Sequence, residues 1–280
     1  RLRPDSADPQ AAWLARINID DPAERLAALR GAPAQTPEVL VARGYAALEL
    51  EDPATLDRCV QQLLTADPWE WRAVWLAGLG AVAGKDYATA QSSFNAVYGQ
   101  VPGELAPKLA LAVACELGNQ PDLAESLYRV CASTDANYVT PAAFGLARVR
   151  ADRGDVAGSL AALELVPNTS RGYPESQRQR AGLLVATARD SDSIGRALAA
   201  VSASRLDPWT ETELEQSLLE RALELADRGP VRLGGQPATA SQLRDLLEQT
   251  YRKRARLAED PAVRARFVDL ANSIRPWSLL

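Results

Sequence analysis

The chain contains no histidine, no methionine and only three lysines, Lys85, Lys108 and Lys253. Without an imidazole, Ser-His-Asp and Cys-His nucleophile activation and zinc sites with histidine ligands are all excluded. None of the three lysines follows the glycine-rich spacing of a phosphate-binding loop. Cysteine is scarce too. Cys59, Cys115 and Cys131 are odd in number, far apart and never in a C-x-x-C pair. That is the pattern of reduced, buried thiols, not of a disulfide framework or a metal site. No apolar run approaches the roughly 18 to 20 residues of a membrane span, and no charged-then-apolar leader opens the chain. A chain that begins at Arg1 and lacks methionine throughout reads as a piece of something longer.

What is present is apolar content. At 280 residues and 47% hydrophobic, the chain can bury a substantial core, in one elongated domain or two compact ones. The formal net charge is -5 and the basic residues are scattered, which argues against nucleic-acid and anionic-membrane partners.

Self-similarity decides the architecture. Gly44, Gly78 and Ala112 are spaced by 34 residues, as are Gly84 and Gly118, Ala90 and Ala124, Phe94 and Tyr128, Val97 and Cys131, and Pro68 and Pro102. Thirty-four is the tetratricopeptide length, in which two amphipathic helices make one unit. Small residues sit where helices cross closely, and aromatic or aliphatic residues fill the gap to the next unit. In "VPGELAPKLALA", Val101 to Ala112, Pro102 and Gly103 then form an exit turn and Pro107 falls in the first turn of the next helix.

The expected fold is all-α, a tetratricopeptide-repeat solenoid with extra flanking helices. Its parts are N-terminal linker helices over 1–36 (around Asp8 to Ile17 and Pro22 to Arg30), repeats over 37–173 (37–70, 71–104, 105–138 and 140–173), and a helical extension of the same solenoid over 174–280. In the extension, helices fit 174–189, 191–203, 239–259 and 260–273, while 229–238 reads as a loop. "TETELEQSLLERALELADRG" adds another helix, with a capping box expected at Thr210 and Glu213.

Three motifs invite a functional reading and fail their context. "GLGAVAG", Gly78 to Gly84, resembles a dinucleotide-binding glycine pattern but follows a helix, not a strand. "YRKRAR", Tyr251 to Arg256, is a solvated helix face if Leu243, Leu246, Leu247 and Leu257 point inward. Carboxylates are plentiful, yet no setting separates the acidities of any pair as catalysis requires. No catalytic residue and no cofactor or metal site is expected in this chain.

Inner helices of such an array line a groove whose solvent-facing residues contact peptides. In register these are Tyr45 and Glu49; Arg72, Trp75 and Leu79; Leu109, Val113 and Glu116; and Phe144, Arg148 and Asp152. Aromatic and arginine residues are what an interface anchor uses. Trp75 and Phe144 have a competing reading as inter-repeat packing.

Several strings are more specific than any repeat consensus: "WEWRAVWLAGLGAVAGKDYATAQSSF" (Trp69 to Phe94), "PGELAPKLALA" (Pro102 to Ala112), "AAFGLARVRADRGD" (Ala142 to Asp155), "VPNTSR" (Val166 to Arg171) and "DLANSIRP" (Asp269 to Pro276). On these the chain resembles the C-terminal tetratricopeptide region of actinobacterial serine/threonine protein kinase G. The resemblance implies a cytosolic kinase with a rubredoxin-like module and a kinase domain, neither of which is in this chain. It further implies homodimer formation, packing against the kinase domain of the same chain, and recruitment of a forkhead-associated regulator of 2-oxoglutarate and glutamate metabolism. With no glycine-rich kinase loop, H-R-D or D-F-G present, this chain is not expected to transfer phosphate. Two alternatives stand beside that reading. One is a stand-alone repeat adaptor for linear peptides, the other an all-helical enzyme using carboxylates.

Overall fold

The computed structural model describes residues 2, 4–204, 206–227, 229–233 and 235–275. The last residue of the "DLANSIRP" string lies outside them. Fifteen helices and one two-stranded hairpin make up the regular structure of the described residues, so the fold is all-α as expected, with one small exception. None of these helices is long and apolar enough to cross a membrane. The chain forms two compact units, Arg1–Val149 and Arg150–Leu280.

The first unit is built from helix pairs: α1 (Ala11–Leu14) and α2 (Pro22–Arg30), then α3 (Pro37–Glu49) with α4 (Pro53–Ala66), α5 (Trp71–Ala83) with α6 (Tyr87–Gln100), and α7 (Leu105–Leu117) with α8 (Pro121–Thr134). It ends within α9 (Ala136–Asp152). The turn inside each of the three pairs after α2 has the same construction. Glu51, Lys85 and Asn119, thirty-four residues apart, take left-handed φ values of 53°, 61° and 58°. The next residue then donates its N–H back to the helix just ended: Asp52 to Ala47 O at 2.9 Å, Asp86 to Ala81 O and Gln120 to Cys115 O, both at 2.8 Å. A left-handed residue without glycine's freedom costs about 1 kcal/mol. The closing hydrogen bonds satisfy carbonyls the helix end would otherwise leave unpaired, which offsets that cost. Asp52 and Asp86 go on to cap the following helix, accepting from Thr55 N at 3.0 Å and Thr89 N at 3.1 Å. By contrast Gly103 has no left-handed φ and open space around it, so the Pro102 turn does not depend on glycine there.

Glycines mark where helices approach, Gly44 and Gly78 on the thirty-four-residue period and Gly145 one residue off it. A Cβ on Gly44 would lie 2.7 Å from Leu76 Cδ1, one on Gly78 2.7 Å from Phe94 Cε1, and one on Gly145 2.3 Å from Tyr128 Cζ. Leu76, Phe94 and Tyr128 are themselves buried, so each glycine admits a neighbouring core side chain. Fully burying a side chain of this kind contributes about 1.5–3 kcal/mol.

The expected helix from Asp8 to Ile17 shrinks to the four residues of α1. Gln10 offers no side-chain cap, and Asp8, whose Oδ1 accepts from Gln10 N at 2.8 Å, is shared with another helix. Its Oδ1 accepts from Thr36 Oγ at 2.8 Å and its Oδ2 from Glu38 N at 3.2 Å. It thereby caps α3, whose own Thr36 makes no side-chain cap bond.

The second unit holds α10 (Val156–Glu164), α11 (Tyr173–Thr187), α12 (Ser191–Ala203), α13 (Pro208–Ala226), α14 (Ala240–Leu257) and α15 (Pro261–Ile274). Ile194, Leu218, Leu243 and Leu247 centre its core. The capping box expected at Thr210 and Glu213 is not formed; the N-cap of α13 is Asp207, which accepts from Thr210 N at 3.0 Å. The boxes lie instead at Asp190 with Ser193 and Thr239 with Gln242.

Within the expected loop, β1 (Val231–Leu233) and β2 (Gln236–Ala238) pair antiparallel. Gly235 takes φ 80° in the turn, Val231 enters the core, and Arg232 N donates to Ser191 Oγ at 2.6 Å. On α14 the inward face differs from the expected one. Leu246 and Leu257 are exposed, whereas Tyr251 and Arg254 are buried. The Arg254 guanidinium sits 4.7 Å from the Trp209 ring centroid and 4.6 Å from that of Phe267.

Candidate functional site

The groove residues proposed from register come from the inner helices α3, α5, α7 and α9, at helical spacings that put each set on one face. Neighbouring inner helices are tied through them. Trp75 Nε1 donates to Tyr45 Oη at 2.9 Å, and Arg148 donates to Glu116 through Nε at 2.7 Å and Nη2 at 3.0 Å. Trp75 is only 3% exposed and lies 5.3 Å from the Phe94 ring. It therefore supplies packing and a hydrogen bond, not contact surface.

The remaining residues keep part of their surface. Leu79, Leu109, Val113 and Phe144 are half-buried, Glu49 and Arg148 are exposed, and Glu49 is bonded to Arg25 of α2. Asp152, the last residue of α9, is exposed and falls in the second unit.

Glu116 organises the α7 side. Besides holding Arg148, it accepts from Tyr128 Oη at 2.5 Å. Burial, reinforced by that bond, pushes the Tyr128 phenol far above its ordinary value, so it is a permanent donor. The Glu116 bond in turn raises the already high Arg148 value. The three side chains fix a carboxylate and a guanidinium, with Arg148 still half in solvent at 53% side-chain exposure.

Arg72 organises the α5 side, and its partners were not visible in the register. It meets Glu38 at 3.2 Å, Glu70 at 3.0 Å and Asp5 at 3.4 Å. Burial pushes the Glu38 carboxyl above its ordinary value, against the opposing pull of the Asp5 backbone and Arg72. Asp5 belongs to the segment ahead of α1, which crosses this end of the groove: Leu2 N donates to Tyr45 Oη at 3.3 Å. No periodic signal marks residues outside the repeats. The one cue was the spacing of Asp5 and Asp8 in "PDSADP", Pro4 to Pro9. The turn before α5 also presents Trp69, 82% exposed, which the inner-helix register passes over because it precedes the helix.

Comparison with known proteins gives this arrangement a lineage. The family model described as protein kinase G tetratricopeptide repeat matches residues 4–278. The serine/threonine-protein kinase PknG of Mycobacterium leprae (strain TN) is 32% identical over 295 residues, covering 99% of this chain and 38% of that kinase. The PknG of Mycolicibacterium smegmatis is 34% identical over 241 residues, covering 83% of this chain and 31% of the kinase. The chain thus spans about a third of the length of these relatives. A solved tetratricopeptide repeat protein from Parabacteroides merdae aligns over 89% of this chain and 90% of its own, at 14% identity and a TM-score of 0.49. On the extent of the family match and the identity with both kinases, the chain belongs to the protein kinase G tetratricopeptide repeat family.

Proposed function

We propose that this chain is the non-catalytic docking and regulatory region of a PknG-like serine/threonine kinase acting in the cytoplasm. The observation that carries the reading is the match over residues 4–278 to a repeat region that makes up about a third of two kinases. In this role the inner face holds a protein substrate beside the catalytic domain of the same protein, and the region supports self-association. The substrate class is the one implied by the strings quoted above, a forkhead-associated regulator of 2-oxoglutarate and glutamate metabolism.

Rigidity supports the assignment. The Tyr45–Trp75 and Glu116–Arg148 bonds lock inner helices in pairs, so half-buried Leu79, Leu109, Val113 and Phe144 present a preformed apolar surface beside the exposed Arg148. Tethering a substrate there raises its effective concentration at the kinase to the order of millimolar. The chemistry of transfer is untouched.

The prediction follows from that separation of roles. In the whole kinase, deleting this region raises the apparent KM for the intact regulator by about tenfold or more, while kcat on a short peptide changes less than about twofold. Steady-state kinetics on both substrates measures it. Equal KM for the intact regulator with and without the region would defeat the docking reading.

A further inference from the structure

The segment from Leu2 to Ile17 is held over the first two repeats by spaced contacts, not by a continuous core. Leu2 N reaches Tyr45 Oη, Asp5 reaches Arg72, and Asp8 closes the N-terminus of α3 through Thr36 and Glu38 N. Beyond these, Trp13 and Leu14 rest against Leu26, Leu29 and Ala46. The three polar anchors fall at every third residue, and the chain turns between the last two, Asp8 N donating to Asp5 O at 3.2 Å. Only the four residues of α1 are helical.

Beneath the strip the packing is incomplete. A cavity of about 550 Å³ remains, walled by Leu14, Ile17, Leu29, Val41 and Ala42 on its apolar side. Residues 4 to 7 are exposed, and the Asp5 side chain keeps 46% of its surface in solvent. Few buried apolar contacts and exposed polar anchors are the marks of a segment that opens at low free-energy cost. Of the three carboxylates around Arg72, Glu38 and Glu70 are nearly buried and belong to the repeats, at 8% and 10% side-chain exposure. Asp5 is the removable one.

We infer that residues 4–17, with Leu2, are a resident occupant of the inner face of the first two repeats, and that a partner docking there must displace them with a segment of like chemistry. That segment is acidic and turns between two carboxylates three residues apart, as Asp5 and Asp8 do, the first meeting Arg72 and the second the N-terminus of α3. Charge complementarity at both points selects it. A neutral or basic segment would leave Arg72 with one partner fewer and the first turn of α3 without an acceptor. The strip therefore sets both the specificity of this end of the groove and its availability. The inference rests on the docking reading above.

The test uses the full chain and a fluorescein-labelled synthetic peptide, RLRPDSADPQ, which copies residues 1–10. Binding is followed by fluorescence anisotropy. Wild type binds the peptide weakly because its own strip is in place. Asp5→Asn, at a solvent-exposed position that leaves the helices intact, binds about tenfold more tightly as the competent fraction rises. Arg72→Ala abolishes the gain when combined with Asp5→Asn. A peptide with both aspartates replaced by asparagine binds neither chain, which keeps the test valid if Arg72→Ala misfolds. Equal affinity of wild type and Asp5→Asn would overturn the resident occupancy. Binding that ignores the peptide's aspartates would overturn the acidic specificity. Neither outcome involves the regulator or the kinase, so failure here is distinct from failure of the docking kinetics.

Discussion

Replacing Gly78 by alanine adds one carbon, 2.7 Å from Phe94 Cε1. Two effects oppose each other. Alanine gains about 1 kcal/mol over glycine in a helix interior, and overpacking a core costs about 1–3 kcal/mol. The Phe94 ring is buried and lies against Trp75, so it has nowhere to move and overpacking wins. Gly78→Ala should lower the unfolding free energy by about 1 kcal/mol, and Gly145→Ala by more, since its contact with Tyr128 is 2.3 Å. Gly99, in α6 with nothing within 4 Å, is the control: Gly99→Ala should stabilise by up to about 1 kcal/mol. Urea denaturation of the three variants decides it, and a more stable Gly78→Ala would show that the close approach is not tight. Gly78 was legible because the repeat places a small residue every thirty-four positions, whereas Gly145 falls one residue off that register. Trp75 was legible as an inner-helix aromatic with two readings open, groove contact or inter-repeat packing. Whether an indole faces solvent or Phe94 depends on the neighbouring helix, which register alone does not supply.

Single helices add a dependence on acid. Asp52, Asp86 and Asp207 are held below the ordinary carboxylate value chiefly by first-turn threonine hydroxyls, and Asp190 chiefly by the Ser193 N–H. The native state then binds fewer protons than the unfolded chain between each lowered value and the ordinary 3.8. This stabilisation is complete above the unfolded value and is lost as pH falls through the folded one. The melting temperature should hold from neutrality to about pH 5 and drop steeply below about pH 4. Asp86→Asn, which keeps a capping side chain, should flatten the acid limb without a comparable loss at pH 7. An unchanged acid slope in a pH series of thermal melts would remove Asp86 from the account. Elements were read unevenly for physical reasons. The helix pairs from α3 to α8 carry their own periodicity and turns. By contrast the Asp8 carboxylate ahead of the short α1 is shared with α3, and the hairpin's three-residue strands exist because Val231 enters the core and Ser191 holds Arg232. Those are tertiary causes, invisible to a window of local sequence. The two glycines of "VRLGGQPA" were the only local cue to a hairpin.

Across the whole molecule, repeat length and the strings shared with a kinase family gave the fold and the lineage. The occupant of the groove's first end came from outside the repeats and carried no period. The residues named from register lie on α3, α5, α7 and α9, while their partners, Asp5, Glu38 and Glu70 at Arg72 and Tyr128 at Glu116, emerged only from packing. The same distinction governs "YRKRAR". As a string it is the densest run of trypsin sites in the chain. On α14, however, Arg252 is bonded to Glu248, Lys253 lies 3.7 Å from Glu215, and Arg254 lies against the Trp209 and Phe267 rings with Gln216 at 2.6 Å. Arg16 and Arg171, exposed in turns outside any helix, offer backbone a protease can bend into its active site. Limited digestion of the native protein should therefore cut at exposed sites outside the helices, these two arginines among them, before the basic cluster. Mass spectra of the early fragments would read out whether helical backbone, more than exposure, guards the basic cluster.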